Sequence, residues 1–502
     1  MVQRCKFSIE LKNFPPDLSG EPFSWWYLFV SIPVIWSLWI GFRVFRGINK
    51  PSDFFWYPEG MSSEKLRDSL TASNISVGSA IFAFLSFGYS YKLAAFISPL
   101  TWLLGFFILY KVFPRIENSE KRTLHGFLAN RYDSRFIGYF ASLLSIIGFL
   151  GTYGIEILVG IKIANVLFPN VSSIYIILGL SLVVCTYTAL GGFKAVIDTE
   201  KMQLWFSYVG IAAVFGFLIS HNENVLSLET LASDHWGFSN LSVLFVLSLI
   251  VVNVPWQLID MSVWQRVCSM RDQKDIKKGL SQSIYSIGIS WCVLISLGVL
   301  LNYFPDFTAP SNNDYGSLLL SYLQEPWAFA LFAAGCFAAL VSTADTLLIA
   351  SIQTFVFDIL YPSHSLKTIE DTNDPEKMKG LLRYGRKMVY LFGLISPLFI
   401  YLVSIVIPGV LDLFFLVYSA QIILLIPICV AIFRKDCVRM RKYAIFSLSA
   451  GFLASVCMMV WMLFHPVEYV YLSAPLVSIL VSAIPWFFIK KGEGYDTGVN
   501  KR

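Results

Sequence analysis

Between Gly335 and Asp358 an apolar run is interrupted by Ser342-Thr343-Ala344-Asp345-Thr346, four polar side chains in five positions. Hydroxyls and a carboxylate inside a hydrophobic helix are costly in lipid and mark ion or substrate paths. On a helix Ala339, Ser342 and Thr343 stand at i, i+3 and i+4, so they share one face and can turn oxygens toward one point. Such a set suits a small hard cation. Asp345 and Thr346 begin a second polar cluster, displaced toward a neighbouring face. An isolated membrane hydroxyl commonly bonds back to a carbonyl one turn earlier. That explanation serves one hydroxyl better than this group.

Other stretches carry chemistry of the same kind. The run Thr71, Ala72, Ser73, Asn74, Ile75, Ser76, Val77, Gly78, Ser79, Ala80 weakens a helix, and a break there would free backbone carbonyls for a cation. Close helix packing through small residues accounts for Gly78, Ser79 and Ala83 equally well. Glu156 and Lys162 are ionisable within one apolar span; Lys162 can snorkel from its outer end, whereas Glu156 serves either a structural pairing or a substrate contact. In Asn253-Val254-Pro255-Trp256-Gln257-Leu258-Ile259-Asp260 the proline removes a helix hydrogen bond, which predicts a break near Pro255 flanked by Trp256, Gln257 and Asp260 as a substrate wall. Tyr187 to Gln203 holds Gly191-Gly192, read as a tight inner turn, after which Glu200 opens the next helix where its dipole favours a carboxylate.

The elements that must position these groups are membrane helices. The chain has 502 residues, 56% hydrophobic and 14% charged, with a mean hydropathy of +0.64, far more apolar than a soluble globular domain. Stretches near the 20 or so residues needed to cross a bilayer recur at roughly 25–42, 69–91, 94–112, 136–166, 174–190, 200–219, 241–262, 280–304, 327–359, 388–406, 411–433, 444–464 and 471–489, thirteen in all. No polar segment between them is long enough for a soluble domain. The loops after the first, third, seventh, ninth and eleventh spans hold about 5, 6, 5, 6 and 5 basic residues, and the intervening loops almost none beyond Lys92. This asymmetry puts the amino terminus outside and the carboxyl terminus in the cytoplasm, in a plasma or bacterial inner membrane, and removes any need for a nucleic-acid partner. The first 24 residues lack an apolar core, so the first span is read as an uncleaved anchor. The eight cysteines have no metal-like spacing and are read as reduced packing residues.

Taken in order, Thr123 to Tyr132, Tyr187 to Gln203, Gln265-Arg266 and Ala339 to Thr343 resemble the inner-loop element, Gly-Gly turn, Gln-Arg pair and eighth core helix of the solute:sodium symporter family. The resemblance covers nearly the whole chain. It implies an all-α polytopic fold of about 13 transmembrane helices around a five-plus-five inverted repeat like that of the leucine transporter. Residues 1–68 would be an outer amino terminus, a peripheral helix and an inner loop; 69–219 the first repeat; 220–433 the second; and 434–502 two added helices and a short inner tail.

The resemblance also implies a sodium site made by the carbonyls of Ala72, Ile75 and Ala339 and the hydroxyls of Ser342 and Thr343. Two residues depart from the family pattern: Glu200 stands where Asp is usual, and Asp345 where members with a second sodium have a small hydroxyl residue. If the two carboxylates approach, both stay charged only with a cation or proton between them. A second cation or proton site of Glu200, Ser342, Asp345 and Thr346 is therefore expected. Asn74 and Asn253 match sugar-contacting positions and Trp256 a gating position, but Ser98 and Ile287 stand near those of a sugar-binding Glu and Lys, which disfavours a sugar. Ser76, Glu156, Gln257, Asp260, Tyr418 and Gln421 complete the solute candidates. The expected activity is sodium-coupled import of a small polar or anionic solute by alternating access, with sodium as coupling ion, no organic cofactor, and no enzymatic chemistry. Proton coupling and a membrane sensor acting through a separate partner are the alternatives.

Overall fold

The computed structural model describes residues 25–116, 123–221, 237–238, 241–304, 307, 315–323, 325–361, 375–407, 409–465 and 467–488; the expected outer amino terminus (1–24) and inner tail fall outside them. The helices, in order, are α1 (Trp25–Phe45), α2 (Ser63–Asn74), a π-helical segment Val77–Phe82 running into α3 (Ala83–Tyr91), α4 (Ile97–Ile116), α5 (Leu124–Tyr132), α6 (Arg135–Leu167), α7 (Ser173–His221), α8 (Val243–Ile259), α9 (Met261–Cys268) and α10 (Gln273–Leu301). There follow α11 (Pro326–Thr354) with a π turn Phe355–Leu360, then α12 (Pro375–Ser404), α13 (Val410–Gln421), α14 (Leu425–Phe433), α15 (Arg441–Phe464) and α16 (Glu468–Ala483). Several start where the sequence supplies a cap: the hydroxyls of Ser62, Thr123, Ser134 and Ser242 accept the N–H groups of Lys65, Gly126, Ile137 and Phe245. Each satisfies an amide that the helix itself leaves unpaired.

Among the described residues eleven stretches are long and apolar enough to cross a membrane, which makes the chain an integral membrane protein. The expected number was thirteen. Residues 77–114 and Ser173–His221 are each long enough for two spans: 49 helical residues extend about 70 Å, against a hydrocarbon core of about 30 Å. Burial grades the helices sharply. Over an apolar 18-residue stretch of each, Pro326–Leu360 is 89% buried and Arg135–Leu167 83%, so α11 and α6 form the centre, while Leu28–Phe45 and Cys437–Phe464 are only 22% and 28% buried. An apolar 18-residue stretch of Glu376–Ser404, expected inside the second repeat, is also only 22% buried.

Close approaches hold the bundle together. A Cβ on Gly88 would stand 2.3 Å from the Ile295 carbonyl oxygen and one on Gly298 2.4 Å from that of Leu85, so α3 and α10 cross backbone to backbone. The break in the 71–80 run is present: α2 stops at Asn74, Ile75 turns to ψ 62°, Ser76 is extended at ψ 157°, and the chain resumes as the π-helical segment.

Two expectations need correction. Helix α8 runs through Pro255, and the interruption comes at Asp260 (ψ 106°), whose carboxylate accepts the N–H groups of Ser262 and Val263 to start α9. The capping carboxylate at Asp260, not the missing proline N–H, completes the break. Glu200 does not open a helix. Of α7 only Gly192 leaves helical geometry, at φ +56°, with Phe54 O 2.3 Å from where a Cβ would be; Glu200 lies about two turns further on, beyond the reach of that terminus.

Candidate functional site

The broken helix and the middle of α11 meet. Thr343 Oγ1 donates to the Ser73 carbonyl at 3.4 Å, and Ala72 O accepts the Ile75 N–H at 3.2 Å while keeping a second lone pair. Ser342 Oγ, on a side chain 1% exposed, has no hydrogen-bond partner. The expected sodium ligands Ala72, Ile75, Ala339, Ser342 and Thr343 are all buried. The hydroxyl face of α11 thus lies against backbone that has left the helical ladder.

One turn along α11 is the second cluster. Arg266, fully buried, donates to Glu200 Oε1 at 2.5 Å, Thr346 Oγ1 at 2.8 Å, Ser69 Oγ at 2.6 Å and the Ser262 carbonyl at 3.3 Å, joining α2, α7, α9 and α11. Tyr187 donates its hydroxyl to Asp345 Oδ2. Asp345 Oδ1 and Glu200 Oε2 have no partner. Of the residues expected here, Glu200, Asp345 and Thr346 lie together, with a guanidinium among them that sequence reasoning did not pair with Glu200; no hydrogen bond joins Ser342 to them. The signal was available as an arginine at the end of an apolar span, six residues after Asp260.

A cavity of about 40 Å³ lies between the π-helical segment and α3 on one side and α4, α8 and α13 on the other. Six rings, Phe84, Phe87, Trp102, Phe414, Phe415 and Tyr418, surround three polar side chains, Ser79, Ser98 and Asn253. Asn253 is held by donation to Thr101 Oγ1 at 2.9 Å. Trp256 stands behind the wall, its ring centroid 4.4 Å from that of Tyr418 and 6.0 Å from that of Trp102. Ligand pockets usually measure roughly 300 Å³ or more, so an organic solute enters only if these rings move.

Of the expected solute contacts, Asn253 and Tyr418 line this cavity and Trp256 backs it. The others do not line it. Asn74 donates to Leu70 O, Ser76 accepts the amides of Ser79 and Ala80, and Gln421 donates to Ser145 O at 3.3 Å. Glu156 Oε2 accepts the Gly78 N–H at 3.1 Å, and Gln257 is buried with both amide atoms unpartnered. Asp260 caps a helix and does not line the cavity, although it stands within electrostatic reach of Tyr418, which does. Ser79, Phe84, Phe87, Trp102, Phe414 and Phe415 were missed, although Ser79, Ala83, Phe84 and Phe87 fall on one helical face and could have been found by that spacing.

Toward the basic loops the ends of the core are tied. His125 Nδ1 lies 3.1 Å from Asp358 Oδ2 and its Nε2 2.7 Å from Ser145 Oγ, while Thr123 Oγ1 donates to Asp358 Oδ1 at 2.5 Å. Lys65 pairs with Asp198 at 3.0 Å, and Lys194 pairs with Glu59, holding the Glu59 carboxyl below its ordinary range by donating to it. Among the described residues no group of His, Cys, Asp and Glu forms a cage for a transition metal.

The chain is 26% identical over 325 residues to the sodium/pantothenate symporter of Escherichia coli (strain K12), covering 61% of this chain and 66% of that protein. It is 23% identical over 338 residues to the protein of the same name from Haemophilus influenzae (strain ATCC 51907 / DSM 11121 / KW20 / Rd), covering 62% and 66%. The match thus spans just under two thirds of the length of these relatives. The solved substrate-bound, outward-open structure of a Na+-coupled sialic acid symporter superposes with a TM-score of 0.72 at 14% identity, over 93% of this chain and 98% of that one, which shows the fold. The sodium:solute symporter family model matches residues 54–379, well over half of the sequence, and the chain is a member of that family.

Proposed function

We propose that the chain imports a small polar solute together with sodium by alternating access, with its amino terminus outside and its carboxyl terminus in the cytoplasm of a plasma membrane, the inner one in a bacterium. Ser342 carries this reading: a buried hydroxyl without a partner costs free energy, and a cation shared with the Thr343 hydroxyl and the carbonyls of Ala72, Ile75 and Ala339 would satisfy it. Sodium would draw α11 and the broken helix together and tighten the adjoining cavity around its solute, and the solute would tighten sodium in return. Residues 69–219 and 220–433 would be the two repeats, with 1–68 and 434–502 outside them. The relatives named for pantothenate and sialic acid support a small polar solute without choosing one. Membership of a transporter family stands against an enzyme.

The test is thermal unfolding of the detergent-purified chain in sodium and potassium chloride of equal strength. At a hundred times Kd, sodium stabilises the folded state by about 2.7 kcal/mol. Equal melting in both salts overturns the reading. Uphill solute accumulation in sealed vesicles then separates a symporter from a sensor.

Proton coupling is favoured by one observation: two buried carboxyl groups, Glu200 and Asp345, lie within electrostatic reach of Arg266, whose guanidinium donates to Glu200 while Asp345 is bonded by Tyr187. One negative charge is left over, and a proton or a second cation at Glu200, Ser342, Asp345 and Thr346 would neutralise it. Replacing Asp345 with Ser should abolish whatever pH dependence or additional cation stoichiometry wild-type uptake displays. An unchanged pH profile and unchanged stoichiometry count against this site.

A further inference from the structure

We infer that the solute is a small organic cation, an ammonium group held among the rings of the cavity and attracted by Glu156. This rests on the proposed solute site and narrows its substrate class. In transporters with broken helices an anionic solute is held by the N-terminal amides of a half-helix. Here those amides are taken. Glu156 Oε2 accepts the Gly78 N–H, the Val77 and Ser79 amides lie beside the same carboxylate, and the Ser76 hydroxyl accepts the N–H groups of Ser79 and Ala80. The protein has placed a carboxyl group of its own on the amides an anionic solute would use, and the two would compete for the same donors.

Glu156 also faces the cavity wall with an unmet need. Its side chain is fully buried and Oε1 has no hydrogen-bond partner. That oxygen and Phe414 Cζ both lie close to the Cβ position of Gly78, at 3.1 and 3.2 Å, so the carboxyl group stands near a ring that lines the cavity. Glu156 is also within electrostatic reach of Tyr418, on the same wall. The hydrogen bonds made to it come from backbone amides and the Ser76 hydroxyl, not from a cationic side chain. The cavity lining holds six aromatic rings and no charged side chain of either sign. Aromatic faces attract ammonium groups, the more so when water is excluded, and a carboxylate behind them adds long-range attraction in a medium of low dielectric. Ser79, Ser98 and Asn253 would then serve the polar remainder of the molecule.

Three probes of similar size and different charge test this: tetramethylammonium, tert-butanol and pivalate. Each is titrated against the melting of the purified full-length chain in sodium at constant ionic strength. The expected result is half-maximal stabilisation by tetramethylammonium at a concentration at least tenfold below those of tert-butanol and pivalate. In Glu156→Gln, whose amide oxygen can still accept the Gly78 N–H, that preference should vanish. Equal response to the three probes, preference for pivalate, or a preference that survives Glu156→Gln overturns the inference. Should the variant fail to fold, the wild-type ranking decides by itself. Loss of sodium selectivity with the tetramethylammonium preference intact would instead overturn the sodium reading and leave the cation site standing.

Discussion

Arg266→Met should cost about 3–5 kcal/mol, the range for removing one partner of a buried ion pair. The guanidinium is fully buried and reaches four helices through Ser69, Glu200, Ser262 and Thr346. Its loss leaves the fully buried Glu200 carboxylate to the hydroxyls of Ser69 and Thr346, the latter at 3.4 Å, beside Asp345. Arg266→Met/Glu200→Leu should recover most of the loss, because replacing both charges with apolar groups removes the desolvation cost together with the attraction. Denaturation midpoints in detergent read both effects. A single variant as stable as wild type, or a double variant no better than the single, would show that Arg266 does not neutralise Glu200.

The other large effect is functional. Ser342→Ala/Thr343→Ala removes two of the five proposed sodium oxygens while keeping small side chains on a helix that is closely packed all round. The folded state should therefore survive, losing one hydrogen bond from Thr343 to Ser73 O, a net contribution of about 1 kcal/mol. What should disappear is the difference between sodium and potassium, about 2.7 kcal/mol at a hundred times Kd, which corresponds to at least a hundredfold loss of sodium affinity. Sodium-driven uptake should fall with it. A variant that still melts higher in sodium would remove these hydroxyls from the ligand set.

Much of the architecture was open to reading because its causes are local. A bilayer imposes about 20 apolar residues on each helix, and Ser before such a run marks its start, as Ser134 and Ser242 do. The break at Ile75 and Ser76 followed from ten consecutive positions rich in small and polar residues. The hydroxyl face of Ser342 and Thr343 followed from helical spacing alone. Pro255 misled because a proline only removes one bond and neighbouring groups can compensate, whereas Asp260 supplies the cap that a new helix start requires.

The sequence by itself determined a bundle of apolar membrane helices, a helix-weakening run at residues 71–80, and the presence of Glu156, Glu200 and Asp345 in apolar surroundings. Only the tertiary structure decided their partners. Glu200 meets Arg266 from 66 positions away, His125 meets Asp358 from 233, and Glu156 reaches Gly78 from 78. The reason is physical: hydropathy and helical period specify how each segment pays its own backbone cost in lipid, but a buried charge is satisfied by whichever side chain the packing of several helices brings within about 3 Å, and no local pattern encodes that distance.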